Sequence, residues 1–175
     1  MSNRANFVSA TGKLDVQGLA RAGETVVGVV RLADFERAAD QLATDEGSLA
    51  FSVRGAVDDR GRPVLGVHLE GTVTLVCQRC LLPFLHEIDS ETEIQLAATE
   101  QELEAWDEDE AETVLAAAPL GLHGLLEDEL LLALPYAPRH PEGVCAPGGG
   151  TRKGEKPSPF ASLAAIKRKQ SGNEN

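Results

Sequence analysis

From residue 48 to residue 98 the chain changes character at every second position. In SLAFSVRGAV, residues 48–57, Leu49, Phe51, Val53 and Gly55 alternate with polar or small residues. In PVLGVHLEGTVTLVC, residues 63–77, Val67, Leu69, Gly71, Val73 and Leu75 do the same. A third run, residues 83–98, carries Leu85, Ile88, Ile94 and Leu96. A period of two puts one set of side chains on one face of a strand, the pattern of a half-buried sheet. Asp58-Asp59-Arg60-Gly61 between the first two runs is turn chemistry. The three runs predict an antiparallel β-meander, and CQRCLLP falls at the junction of its second and third strands.

Helical spacing flanks the meander. Phe35, Ala38, Ala39 and Leu42 predict a short helix over FERAADQLA with Asp34 as its N-cap. ETVVGVV, residues 24–30, reads as one short strand after an irregular approach. Leu122, Leu125, Leu126, Glu129/Leu130 and Ala133 fall on one stripe and predict an amphipathic helix stopped by Pro135 and Pro138. Glu127, Asp128 and Glu129 are expected on its solvated face. Residues 100–112, EQELEAWDEDEAE, are too acidic for a core and read as a surface loop or short helix. ETVLAA, residues 112–117, reads as one more short strand. The expected fold class is α+β: an antiparallel β-meander packed against one or two helices, with an extended basic C-terminal tail. The expected division is a single domain over residues 1–147, then a Gly/Pro-rich linker and basic tail with a short amphipathic helix over 148–175.

Charge is split along the chain. Residues 1–151 carry 10 Lys/Arg and 26 Asp/Glu, a net of −16, while residues 152–169 have a net of +5. No Lys or Arg stands between Arg79 and Arg139, where fifteen acids fall. That stretch repels phosphate and suits a basic protein. No run approaches the ~20 apolar residues that span a bilayer. The N-terminal MSNRANFVSATGKLDV lacks the apolar core of a signal peptide, so the expected compartment is the cytoplasm, with no membrane partner.

The chemically capable side chains are few. Three cysteines, an odd number, argue against a disulfide framework. Cys77 and Cys80 have CxxC spacing, and His140 and Cys145 follow as H-x4-C. Three thiolates and an imidazole in two short pairs have the ligand types and spacing of a structural zinc site. Free thiols without metal are a second reading. A thioredoxin-like redox pair is a third, disfavoured because that motif opens a helix after a strand, whereas CQRC joins two β-runs. His68, His86 and His123 read as ordinary satisfied histidines. No nucleophile elbow, phosphate loop, dinucleotide fingerprint or zincin motif occurs, so no catalytic residues, no enzymatic activity and no small-molecule substrate are expected.

Three segments together resemble a known family: VTLVCQRCLLPF at 73–84, LLEDELLLALPYAPRH at 125–140 with Cys145 beyond it, and KPSPFASLAAIKRK at 156–169. In order and spacing they resemble the bacterial YceD family of large ribosomal RNA subunit accumulation proteins, over roughly residues 20–169. The resemblance implies a part in the synthesis, processing or stability of 23S rRNA. It also implies cysteine or histidine at Cys77, Cys80, His140 and Cys145, in keeping with structural zinc. The chain departs from the family pattern in its acidic segment 100–112 and its Gly148-Gly149-Gly150 run, and the acidic segment counts against RNA contact by that face. The expected function is a non-enzymatic factor that acts by binding during large-subunit biogenesis, with rRNA or large-subunit ribosomal and assembly proteins as partners. The alternatives are a zinc-dependent protein-interaction adaptor linked indirectly to rRNA, and a CxxC thiol redox protein.

Overall fold

The three alternating runs pair as their period requires. In the computed structural model, which describes residues 5–7, 12–106 and 112–145, they form β4 (Ser48–Val57), β5 (Pro63–Val76) and β6 (Pro83–Ala97). β4 and β5 are antiparallel with Phe51 opposite Leu69, and β5 and β6 are antiparallel with Leu69 opposite Ser90. On one face this register aligns Leu49, Phe51 and Val53 with Leu65, Val67, Leu69, Val73 and Leu75, all buried. A slip of one residue would turn the whole set to solvent. β3 (Thr25–Arg31) pairs antiparallel with β4 and adds Val26 and Val30 to the same core.

Two parallel strands complete the six-stranded sheet. β1 (Ala5–Phe7) lies beside β3, and β7 (Glu112–Leu115) lies beside β6 along Ile94–Ala97. A separate two-stranded ribbon joins β2 (Lys13–Leu14) to β8 (Leu120–Gly121). The fold is α+β, with a mostly antiparallel sheet and helices on its apolar face.

That face is covered by α1 (Val16–Ala22) over β4 and β5, and by α3 (Leu122–Ala133) over β5 and β6. α1 was not expected from the sequence, although its ends are marked. Asp15 accepts from the Gly18 N–H at 3.0 Å, and Gly23 ends the helix with φ +64°, the N-cap and left-handed C-cap of a short helix. α1 sits close to the sheet at Gly55, where a Cβ would lie 2.3 Å from the Leu19 carbonyl oxygen. The acidic segment opens with a short helix, α2 (Glu100–Trp106). Among the described residues no helix is long and apolar enough to cross a membrane.

Two expectations are corrected. FERAADQLA forms no α-helix; the chain makes 3-10 turns at Leu32–Asp34 and Ala39–Gln41, with Phe35 extended between them. Asp34 pairs with Arg31 at 2.6 Å instead of capping a helix, and the Arg37 amide and guanidinium turn to Glu127. Of the four apolar positions Phe35 and Ala38 are buried and Leu42 half-buried, while Ala39 is exposed; tertiary contacts outweighed helix propensity. Of the three acids on α3 only Asp128 is solvated: Glu127 and Glu129 are 4% and 2% exposed. Glu127 is held by the Arg37 guanidinium at 2.8 Å and by the N–H groups of Arg37 and Ala38 at 2.6 and 3.3 Å. A buried carboxylate persists when its oxygens are bonded in this way.

The chain divides into two units, Met1–His140 and Pro141–Asn175. Of the second, residues 141–145 are described, a turn in which the Val144 N–H donates to the Pro141 carbonyl at 3.3 Å. The expected linker and basic tail, 148–175, lie outside the described residues.

Candidate metal centre

The connection from β5 to β6 is a tight knuckle of six residues, Cys77 to Leu82. The Leu81 N–H donates to the Cys77 carbonyl at 2.8 Å, and the Cys77 N–H donates to the Leu82 carbonyl at 3.0 Å. Between these bonds the backbone enters the left-handed region at Leu81, φ +61°. A leucine there is costly, and glycine would be the ordinary choice. Cys77 is buried and Cys80 half-buried.

The second part of the centre comes from the end of α3. Pro135 and Pro138 cannot continue a helix, and Leu134 is already extended. The chain then returns to the knuckle, where the Gln78 N–H donates to the Pro138 carbonyl at 2.8 Å. Two residues on, His140 Nδ1 lies 3.4 Å from Cys80 Sγ, and its ring sits 4.8 Å from that of Phe84. Cys77, Cys80, His140 and Cys145 offer one ligand atom each, and these four atoms all lie within 4.8 Å of one another. This group could hold a metal ion.

The donor set suits zinc. With Zn–S bonds of about 2.3 Å, tetrahedral ligands stand roughly 3.5–4 Å apart, a spacing the cluster accommodates with little movement. The Cys77 thiol is tuned toward thiolate. Burial pushes its pKa up, but the backbone N–H groups of His140, Cys80 and Arg79 and the His140 side chain outweigh that and hold it at about 5. Amide donors aimed at a sulfur are the outer shell that stabilises a ligating thiolate.

The other histidines lie elsewhere in satisfied settings. His68 Nε2 is 2.9 Å from Asp89, His123 Nε2 is 2.8 Å from the Asp34 carbonyl, and His86 lies edge-on to Phe84. Sequence reasoning missed three supporting residues: Leu81, whose backbone shapes the knuckle; Pro138, whose carbonyl binds it; and Phe84, which packs on His140. Only Leu81 had a local signal, its place directly after the second cysteine of CxxC.

A family model described as "Large ribosomal RNA subunit accumulation protein YceD" matches residues 65–167. That span starts in β5 and contains the knuckle, β6, α3 and all four ligand candidates. The chain is also 28% identical, over 158 residues, to the large ribosomal RNA subunit accumulation protein YceD of Haemophilus influenzae, covering 82% of this chain and 87% of that relative. No solved structure matches.

Proposed function

The chain belongs to the YceD family of large ribosomal RNA subunit accumulation proteins, and on that premise we propose that it is a non-enzymatic factor supporting the accumulation of 23S rRNA by binding during large-subunit biogenesis in the cytoplasm. The observation that carries this reading is the span of the family match, which takes in the knuckle, the covering helix and most of the basic segment 152–169. The split between an acidic body, net −16 over residues 1–151, and a basic end, net +5 over 152–169, supports binding of two unlike surfaces. The basic end suits phosphates; the acidic body suits a basic ribosomal or assembly protein.

Within this reading Cys77, Cys80, His140 and Cys145 are the ligands of one structural zinc ion. The metal would supply cross-linking, holding the knuckle and the chain beyond α3 together. The thiol redox reading has less support, because the Cys77 sulfur is buried and thiol exchange needs access.

Crosslinking in cells, followed by identification of both RNA and protein partners at moderate salt, tests the function. The expected result is enrichment of 23S rRNA or of large-subunit ribosomal and assembly proteins. Enrichment of neither over control overturns the reading. The adaptor alternative is separated by deleting residues 152–169: it predicts that partner binding is left intact, whereas direct contact of the basic end with phosphates predicts that rRNA is lost.

A further inference from the structure

β6 is fifteen residues long, and β5 pairs along one edge of it from Pro83 to Gln95. Along its other edge β7 pairs only with Ile94–Ala97. Among the described residues no strand lies beside the remaining stretch, residues 83–93. Eleven residues is about twice an ordinary strand. Alternate residues along it direct an N–H and a C=O away from β5. An edge of this kind is a template for one more strand.

Two features say what chemistry such a strand would carry. Glu87, Asp89, Glu91 and Glu93 are all exposed in one row on the same face of β6, and Glu70 of β5 stands directly opposite Asp89. Like charges placed opposite each other destabilise a strand pair. His68 reaches Asp89, but among the described residues Glu70, Glu87, Glu91 and Glu93 have no Lys or Arg partner. The second feature is Glu129 of α3, 2% exposed, whose Oε2 has no hydrogen-bond partner. Thr92, on this stretch of β6, and Glu112, the first residue of β7, lie near this carboxyl. A cation arriving along the edge beside Thr92 would supply the missing donor.

We propose that residues 83–93 of β6 dock an extended, lysine- or arginine-rich segment of a partner protein as an added strand, with its cations over Glu87, Asp89, Glu91 and Glu93. Main-chain bonds give the affinity and the acidic row gives the selection. Nucleic acid is excluded from this edge by its own phosphates. The docking stands on the geometry alone; that the partner is a large-subunit protein rests on the proposed function.

The test uses the full chain with isotopic labels and, as probe, a peptide of alternating lysine and valine at moderate salt. The expected result is that amides of residues 83–93 shift and their exchange slows about tenfold or more when the peptide binds. A single-stranded RNA oligonucleotide is expected to cause neither change. The Glu87→Lys/Glu91→Lys variant should bind the peptide about tenfold more weakly or worse, with Glu87→Gln/Glu91→Gln in between. These side chains are exposed, so both variants should keep the parent's unfolding midpoint. Equal binding by the charge-reversed variant, perturbation that spares 83–93, or slowing of the same amides by the RNA overturns the proposal. So does strong protection of 83–93 in the chain alone that vanishes when Lys167, Arg168 and Lys169 are replaced by serine, since the occupant is then this chain's own basic segment. A photocrosslinking residue at position 89 in cells separates the two readings. Capture there of a basic protein foreign to the large subunit keeps the docking edge and removes the proposed partner class. Large-subunit partners crosslinked only elsewhere keep the proposed function and remove the edge.

Discussion

The backbone N–H of Gln78 donates to the carbonyl of Pro138 at 2.8 Å. Gln78 lies inside the CxxC turn and Pro138 two residues before His140, so this bond aligns the knuckle with the imidazole before any metal arrives. Protein purified without chelator should therefore carry about one zinc per chain. Cys80→Ser and His140→Ala should each lose it. Because metal binding is coupled to folding, each should lower stability by about 2 kcal/mol or more, above the ~1 kcal/mol of an average substitution. Elemental analysis with urea unfolding checks both; metal-free parent protein that is fully folded would remove the site.

Leu81 tests the knuckle backbone without touching a ligand. Its side chain is 74% exposed, so removing it forfeits little burial, while φ +61° strains any residue with a Cβ. Leu81→Gly should leave zinc content unchanged and shift stability between zero and about +1 kcal/mol, relief of strain being partly offset by a looser unfolded chain. Leu81→Val, β-branched and worse suited to that region, should cost about 1–2 kcal/mol. A valine variant as stable as the parent contradicts this account.

Glu127 and Glu129, two residues apart on α3, should respond to pH with opposite signs. At Glu127 burial pushes the pKa up, but the Arg37 side chain and the N–H groups of Arg37 and Ala38 more than reverse it, leaving it below the ordinary value. Its stabilisation is full above the unfolded pKa of about 4.3 and is lost as pH falls through the lower folded value. Glu127→Gln should cost about 1–3 kcal/mol at pH 7, and the cost should shrink in acid. At Glu129 burial raises the pKa, reinforced by Glu112 and Asp128 and only partly opposed by Thr92. The folded carboxylate is thus penalised at neutral pH, and the penalty disappears below about pH 4. Glu129→Gln should stabilise by about 1 kcal/mol at pH 7 and be neutral near pH 3. Urea midpoints across pH measure both; same-sign effects at pH 7 would refute the assignment.

Gly55 sets the distance between α1 and the sheet. A Cβ there would meet backbone, 2.3 Å from the Leu19 oxygen and 2.5 Å from the Ala20 nitrogen, and backbone cannot rotate away. Gly55→Ala should cost about 2–3 kcal/mol by lifting α1. Gly66→Ala is the control, since its Cβ would approach only the Arg54 oxygen at 3.8 Å, and it should change stability by about 0.5 kcal/mol or less. Thermal unfolding of the pair is the measurement.

The meander was legible because its signal is local. Leu49, Phe51 and Val53, or Val67, Leu69 and Val73, announce a strand and its buried face within a few residues. α1 was legible in principle from Asp15 and Gly23, but a helix of seven residues offers too few turns for its apolar period to register. The segment 35–42 shows the reverse. Its helical spacing led to no helix, because Asp34 and Arg37 made bonds with Arg31 and Glu127 that no local pattern announces. Glu129 was assigned to solvent for the same reason, since its burial depends on β6, more than thirty residues earlier.

The sequence by itself determined the strand order of the central meander, the place of CxxC at a hairpin turn, the helix over residues 122–133, and an acidic body followed by basic residues. Alternation, turn chemistry and charge are properties of neighbouring residues, so they can be read along the chain. Tertiary structure alone decided that His140 returns to Cys80, that Leu81 takes a left-handed backbone, that Glu127 is buried and paired, and that among the described residues no strand lies beside β6 before Ile94. Each of these depends on where a distant segment packs, and a packed core selects that arrangement through burial and hydrogen bonds summed over the whole unit.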